Sequence, residues 1–332
     1  MNNSFLIFGA GAWGTALALQ LARSNNKVVL SSFDENNLAQ IKKNHENKKY
    51  LPGFKLPKEV LVEPFSESLA ERSDSVVICV KSPYFNDALT LLKDSFYDKN
   101  LLWATKGFDP NNGGLLSSMV LEVVGDSTKT AVLSGPSFAE ELADGKPAAI
   151  TLATNKIENS VLLAESMSNK SLRIYLSTDP VGVQLGGGLK NVIAIAAGIS
   201  DGLGLGANAK AALVTRGLDE ITSLGILLGA SEKTFMGLSG VGDLMLSSSD
   251  DKSRNRSLGL AVGGGLSLND AAKLQNGTPE GAHAIKTLVE KGVVNSKQPV
   301  LYSVYEALYS GANLSTIVKD LMLRPIKEEG LR

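Results

Sequence analysis

The chain has 332 residues, 43% hydrophobic and 20% charged, with 33 Lys plus Arg against 34 Asp plus Glu and a formal net charge of −1. That length exceeds what one core usually serves, so two domains are expected, and the near-neutral balance excludes electrostatic recruitment to nucleic acid or a membrane surface. Cys79 is the sole cysteine and His45 and His283 the only histidines, which excludes an internal disulfide and a histidine-rich metal site; no metal is expected.

The opening MNNSFLIFGAGAWG has no basic segment and no small-residue cleavage site after an apolar run, so no secretory signal is expected. No apolar run reaches the ~18 residues of a spanning helix, so no membrane insertion is expected, and the cysteine usage points to the cytoplasm. SFLIF (4–8) is a β-prone run, TALALQLARSN (15–25) has the composition of a helix, and KVVLS (27–31) reads as a second strand. The mixed-sign cluster KKNHENKK (42–49) reads as a solvated loop or helix end. SDSVVICV (73–80), LLWAT (101–105), TAVLS (130–134) and AAITLAT (148–154) are four more strands, spaced by segments that suit helices. The alternation predicts an α/β fold with a doubly wound parallel sheet. After residue 178 strand-like runs stop and helical runs closed by glycine take over. The expected organisation is a Rossmann-type domain over 1–178 and an all-helical domain over 179–332.

Between the first strand and its helix stands Gly9-Ala10-Gly11-Ala12-Trp13-Gly14, with Asp34 about twenty residues past the last glycine. In that setting G-x-G-x-x-G predicts a dinucleotide site. Gly9 allows the tight turn, Gly11 lets the backbone approach a pyrophosphate, and Gly14 lets helix and strand pack closely. The amides of Ala12 and Trp13 face the phosphates from the helix N-terminus.

A second stretch, GVQLGGGLKNVIAIAAGIS (182–200), sets Lys190 and Asn191 among small apolar residues. A buried ammonium there needs a partner or a lowered pKa. On the residues alone, a lysine snorkelling from a small-residue helix stays as open as a functional one. Gly186, Gly187 and Gly188 leave room for a nicotinamide ring or a substrate to approach the backbone. SSSDDKSRNR (247–256) reads as an exposed polar loop whose arginine either stays solvated or clamps a phosphate.

Read together, the fingerprint, ATKG (104–107), LSGPSFAEEL (133–142), the stretch from Gly182 to Leu213, GVGDL (240–244) and KSRNR (252–256) resemble the soluble NAD(P)-dependent glycerol-3-phosphate dehydrogenase family, in register from about Phe5 to Glu280. The resemblance implies reduction of dihydroxyacetone phosphate to sn-glycerol 3-phosphate with NAD(H) and/or NADP(H), supplying glycerol 3-phosphate for phospholipid synthesis. It also implies a homodimer and a site in a cleft between the two domains. Carried over residue by residue, Lys190 is the proton donor, with Asn191 beside it. Lys106 is the second active-site lysine, in reach of substrate and cofactor, and Asp243 lies next to the lysines. Ser253, Arg254 and Asn255 hold the substrate, chiefly its phosphate, and Arg254 also reaches the cofactor. Gly135, Ser137 and Ala139 fall where the family's serine-glycine-proline loop touches substrate and cofactor, and Glu280 lies near the cofactor. Hydride transfer to a ketone develops charge on the carbonyl oxygen, and a lysine in a water-poor setting, with its pKa lowered by burial and by Lys106, supplies both charge and proton.

The position that pairs with the adenosine 2′-phosphate in many bacterial members is Phe33, followed by Asp34 and Glu35. An aromatic ring and carboxylates there predict that NADH serves at least as well as NADPH. A β-hydroxyacid dehydrogenase shares the fingerprint and a catalytic lysine but carries an asparagine four residues beyond it, where this chain has Ala194. A non-catalytic dinucleotide-binding redox sensor would not need two lysines and an aspartate.

Overall fold

The β-prone runs of the first half build one eight-stranded sheet in the order β3-β2-β1-β4-β5-β6-β7-β8. The strands are β1 (Ser4–Phe8), β2 (Lys27–Ser31), β3 (Val60–Val62), β4 (Ser75–Ile78), β5 (Asn100–Trp103), β6 (Lys129–Ser134), β7 (Ala148–Ala153) and β8 (Leu172–Ser177). This computed structural model describes residues 3–96, 99–125, 129–275 and 277–323. Alternate residues of β1 serve opposite faces of the sheet. Phe5 and Ile7 join one buried cluster with Leu17, Leu102, Leu133 and Ile150, while Leu6 and Phe8 join another with Phe85, Trp103 and Val132. Helices cover both faces, as a largely parallel sheet requires.

The sheet departs from the all-parallel expectation at β7, which runs antiparallel to β6 and carries β8 parallel to itself. The helix between β6 and β7, Ala139–Asp144, has six residues. At 1.5 Å per residue it covers about 9 Å, short of the ~20 Å needed to return along a six-residue strand. Two strands are additions to the sequence reading. β3 is three residues long, and β8 (LRIYLS) alternates buried and exposed positions over its first four residues.

The chain forms two compact units. One runs to Lys106 and includes Leu116–Val183; the other holds Gly107–Leu115 and the residues from Gln184 onward. The second unit, among the described residues, contains no strand, only the isolated bridge Phe108–Leu115. Its helices include Gly206–Leu227, Asp243–Ser249, Arg254–Gly263, Glu280–Glu290 and Pro299–Tyr305. Several chain reversals after them use glycine at positive φ, as at Gly229 (+89°) and Gly292 (+74°). Helix Pro180–Gly202 corrects the expectation that no segment is long and apolar enough to span a membrane. It passes on length and mean hydropathy, and its most apolar window is wholly buried inside the protein.

Candidate active site

In the first unit the chain leaves β1 and turns at Gly9 into helix Ala12–Arg23. Gly9 has φ +126°, and a Cβ there would lie 2.6 Å from the Cys79 carbonyl, so only glycine fits. A Cβ on Gly14 would stand 2.0 Å from the Gly9 carbonyl oxygen, which is the close helix–strand packing expected of the third glycine. Gly11 is different. It is the N-cap, with φ −76°, and no atom lies within 4 Å of where its Cβ would be. The helix starts without a side-chain cap and without an acidic residue in its first turn. The amides of Ala12 and Trp13 therefore head a helix N-terminus whose first turn holds no competing carboxylate, and an open backbone stands beside it. That cradle fits a dinucleotide pyrophosphate.

The turn is braced by a residue that sequence reasoning missed. Asn47, fully buried, donates to the Ala10 carbonyl (2.9 Å) and to Thr15 Oγ1 (2.8 Å), and Thr15 Oγ1 donates to the Gly11 carbonyl (2.8 Å). Asn47 sits inside the charged cluster 42–49, whose Lys42, Lys43, Lys48 and Lys49 are exposed as expected. Nothing in composition marks the one buried amide among them.

Past β2, Phe33 is 48% exposed and meets Phe8 edge-on with ring centroids 4.8 Å apart. Asp34 is occupied on both oxygens. Oδ2 pairs with Lys49 (2.7 Å), and Oδ1 accepts from the Asn37 amide (2.9 Å), capping helix Glu35–Asn44. The Lys49 ammonium and then the Asn37 amide hold its carboxyl below the usual range. The carboxylate expected to repel a 2′-phosphate thus has a lysine bound to it.

Lys106 follows the end of β5, and its Nζ donates to the Gly135 carbonyl (3.1 Å). Gly135 has φ +140°, with Ile150 Cα 3.0 Å from where a Cβ would be. Ser137 Oγ donates to the same carbonyl (3.2 Å) and accepts from Trp13 Nε1 (3.1 Å). Ala139 opens helix Ala139–Asp144, partly buried against the core cluster that includes Leu17, Leu133 and Ile150. In the first unit the structure therefore joins Trp13, Lys106, Gly135 and Ser137 through hydrogen bonds.

In the second unit, Lys190 lies in helix Pro180–Gly202 and is 7% exposed. Its ammonium bonds to Asp243 Oδ1 and to Ser247 Oγ (2.6 Å). Asp243 is 1% exposed in the first turn of helix Asp243–Ser249, and Ser247 stands four residues later on the same face. The partner demanded by a buried ammonium is thus a carboxylate and a hydroxyl on one helix face. Sequence reasoning missed Ser247, one serine in a run of three; only its i+4 spacing from Asp243 could have singled it out.

The glycines before Lys190 have another use than the one expected. A Cβ on Gly186 would lie 2.5 Å from the Ser239 carbonyl oxygen, and one on Gly188 would lie 2.8 Å from the Phe108 ring. Protein fills the room that the sequence reading left for a ligand at these two positions. The close approach at Gly186 seats the bend before Asp243, where Gly240 leaves helical geometry at φ −98°, ψ −107°.

The serine-arginine-asparagine segment begins a helix rather than lying in an exposed loop. Ser253 is its buried N-cap and accepts from the Arg256 amide (3.3 Å). Asn255 donates to Asn191 Oδ1 (3.1 Å) and accepts from the Gly281 amide (2.9 Å), which ties three helices together beside Lys190. Arg254 keeps exposed surface while its guanidinium donates to the carbonyls of Gln275 (2.6 Å) and Gly277 (3.1 Å). Desolvation there lowers its pKa, and the charge of Glu280, at the start of helix Glu280–Glu290, opposes the shift. Arg256, unremarked in the sequence reading, is buried and grips Asp201 (2.6 Å) and Asp251, while Lys210 also holds Asp201 (3.0 Å).

The chain matches known proteins along nearly its whole length. Residues 4–160 match the family model for the NAD-dependent glycerol-3-phosphate dehydrogenase N-terminus, and residues 179–319 match that for its C-terminus. A protein of Colwellia psychrerythraea named glycerol-3-phosphate dehydrogenase, NAD(P)+, is 42% identical over 328 residues, which cover 97% of this chain and 98% of the relative. One of Francisella tularensis with the same name is 41% identical over 335 residues, covering 99% of this chain and all of the relative. The crystal structure of a glycerol-3-phosphate dehydrogenase from Coxiella burnetii aligns with a TM-score of 0.92 at 35% identity, covering 97% of this chain and 99% of that one.

Proposed function

The chain belongs to the NAD-dependent glycerol-3-phosphate dehydrogenase family, and from that premise we propose how its residues divide the work of reducing dihydroxyacetone phosphate to sn-glycerol 3-phosphate with NAD(P)H. The observation that carries the reaction is the match of both family models across the chain. The β-hydroxyacid dehydrogenase and redox-sensor readings have no comparable support. The product serves phospholipid synthesis.

Bound nicotinamide supplies the hydride. The protein's part begins with the dinucleotide: Gly9, Gly11 and Gly14 shape the turn, the amides of Ala12 and Trp13 would receive the pyrophosphate, and Phe33 would face the adenine. Ala139, Arg254 and Glu280 complete the cofactor contacts. Lys190 delivers the proton to the substrate carbonyl oxygen as negative charge develops on it. Asp243 and Ser247 fix that ammonium in direction, a reading supported by the bonds both make to its Nζ. The second cation, Lys106, is assigned to the substrate with Gly135 and Ser137. Arg254 is assigned to the substrate phosphate with Ser253, Asn255 and Asn191, since a planar guanidinium suits a phosphate. In this proposal residues 1–178 form the dinucleotide-binding domain and 179–332 the substrate-binding domain.

The proposal extends to a cytoplasmic homodimer that binds neither nucleic acid nor membrane, in keeping with a net charge of −1. Turnover followed by nicotinamide absorbance, with dihydroxyacetone phosphate and either NADH or NADPH, tests the activity; no oxidation of either cofactor overturns it. Light scattering on the purified chain tests the dimer.

A further inference from the structure

We propose that the Trp13 side chain is a positioning residue for Lys106, acting through Ser137 and the Gly135 carbonyl. The inference rests on the reading of Lys106 as a substrate contact. It goes beyond that reading by giving the indole a task separate from the backbone amide that the same residue offers to the dinucleotide.

Three hydrogen bonds form one chain of contacts: Trp13 Nε1 to Ser137 Oγ at 3.1 Å, Ser137 Oγ to Gly135 O at 3.2 Å, and Lys106 Nζ to Gly135 O at 3.1 Å. An indole N–H can only donate, whereas a hydroxyl both donates and accepts. Trp13 therefore fills the acceptor side of Ser137 and leaves its hydrogen aimed at the Gly135 carbonyl. That carbonyl then receives two donors, the hydroxyl and the lysine ammonium. Its own peptide has little freedom to turn, because Gly135 sits at φ +140° with Ile150 Cα 3.0 Å from where a Cβ would be. The carbonyl is thus a fixed anchor for Lys106, and the indole decides which way the second donor on that anchor points.

Without the indole N–H, the Ser137 hydroxyl is free to rotate toward other acceptors, and Lys106 faces a carbonyl with an altered partner. Trp13 also lies in the first turn of helix Ala12–Arg23, so one residue meets the pyrophosphate with its backbone and the lysine anchor with its ring. Phenylalanine or tyrosine at this position would keep a ring but not a donor at that place.

The test uses Trp13→Phe, Ser137→Ala and the double variant. Loss of one neutral hydrogen bond sets the scale at about three- to tenfold. Trp13→Phe is expected to lower turnover of dihydroxyacetone phosphate by that factor at saturating cofactor, while the NADH dissociation constant stays within about twofold. In the Ser137→Ala background the tryptophan substitution should have no further effect, because the link is already cut. Unchanged turnover in Trp13→Phe overturns the proposal. So does an equal loss of NADH affinity, or a double variant whose defect is the product of the two single ones. A readout without turnover separates this from failure of the proposed activity: after reductive ¹³C-methylation, the Lys106 signal, assigned with Lys106→Arg, should move in both Trp13→Phe and Ser137→Ala. A parent that turns nothing over sinks the activity, whereas a stationary Lys106 signal sinks the link.

Discussion

The glycine turn after β1 and the glycine run before Lys190 look alike as strings of letters, and they work in opposite ways. At the turn, Gly11 borders open space, and in the function proposed above the backbone itself is the binding group. Before Lys190, Gly186 and Gly188 are packed against the Ser239 carbonyl and the Phe108 ring, and the chemistry belongs to a side chain. A glycine opens room for whatever is nearest. In one case, by the proposed function, that is a ligand, and in the other it is the protein's own neighbour, which brings a carboxylate and a hydroxyl up to a buried ammonium.

The largest effect expected of this contrast is at Lys190. Lys190→Met should reduce turnover by at least ~10²-fold, the scale of a positioned acid, with dinucleotide affinity little changed. It also strips Asp243 of a buried cationic partner, which typically costs about 3–5 kcal/mol, so thermal unfolding must be followed alongside. Lys190→Arg keeps a cation for Asp243 but yields a proton poorly, and it should be nearly as slow while folding better. Turnover within a few-fold of the parent in either folded variant would remove the lysine from the chemistry.

Arg254→Ala should follow, weakening dihydroxyacetone phosphate by about 10- to 100-fold but unphosphorylated dihydroxyacetone far less, as expected from a charge-assisted bond of ~1.5–3 kcal/mol. Equal losses on both ketones would show that the guanidinium only ties the carbonyls of Gln275 and Gly277.

The glycines themselves give the sharpest pair. Gly186→Ala drives a Cβ to 2.5 Å from backbone, and overpacking of that kind costs about 1–3 kcal/mol in folding stability. Gly11→Ala meets no atom within 4 Å and should leave the melting temperature nearly unchanged, yet lower dinucleotide affinity several-fold. Identical behaviour of the two variants in both assays would erase the distinction.

The smallest effect concerns cofactor choice. Lys49→Met frees Asp34 of its ion pair, so its carboxyl should titrate nearer the ordinary range. Because the native pairing lowers that pKa, its contribution to stability is present above the unfolded pKa and lost as pH falls through the folded one. The pair is partly exposed, so solvent screening keeps this contribution small. An unpaired carboxylate beside Phe33 should lower the preference for NADPH about twofold, the scale of weak exposed charge interactions. A shift of kcat/KM toward NADPH would reverse the sign of that argument. Phe33→Arg should move the ratio toward NADPH.

Much of this was legible beforehand because it is local. The fingerprint turn, the helix behind it and the strands rich in branched residues depend on neighbours a few residues away. What escaped depends on partners far along the chain. Asn47 is distinguished only by the turn it reaches, more than thirty residues upstream in sequence. Ser247 resembles the two serines beside it until Lys190 meets it. The reversal at β7 follows from the brevity of one helix, and helix length is poorly marked at its ends. β3 is too short, and β8 too mixed, to stand out by composition.

Among the described residues the sheet ends at two margins, β3 and β8, each an edge whose backbone groups could pair with another molecule. The first is three residues long, too brief to template much. The second exposes Arg173, whose guanidinium lies over the Tyr175 ring at 5.7 Å, so a stranger adding itself there would meet a charge near the start of the strand. Those two modest details bear on colloidal behaviour: an expressed chain of this kind should resist strand-by-strand aggregation, and Arg173→Val would be the substitution that invites it.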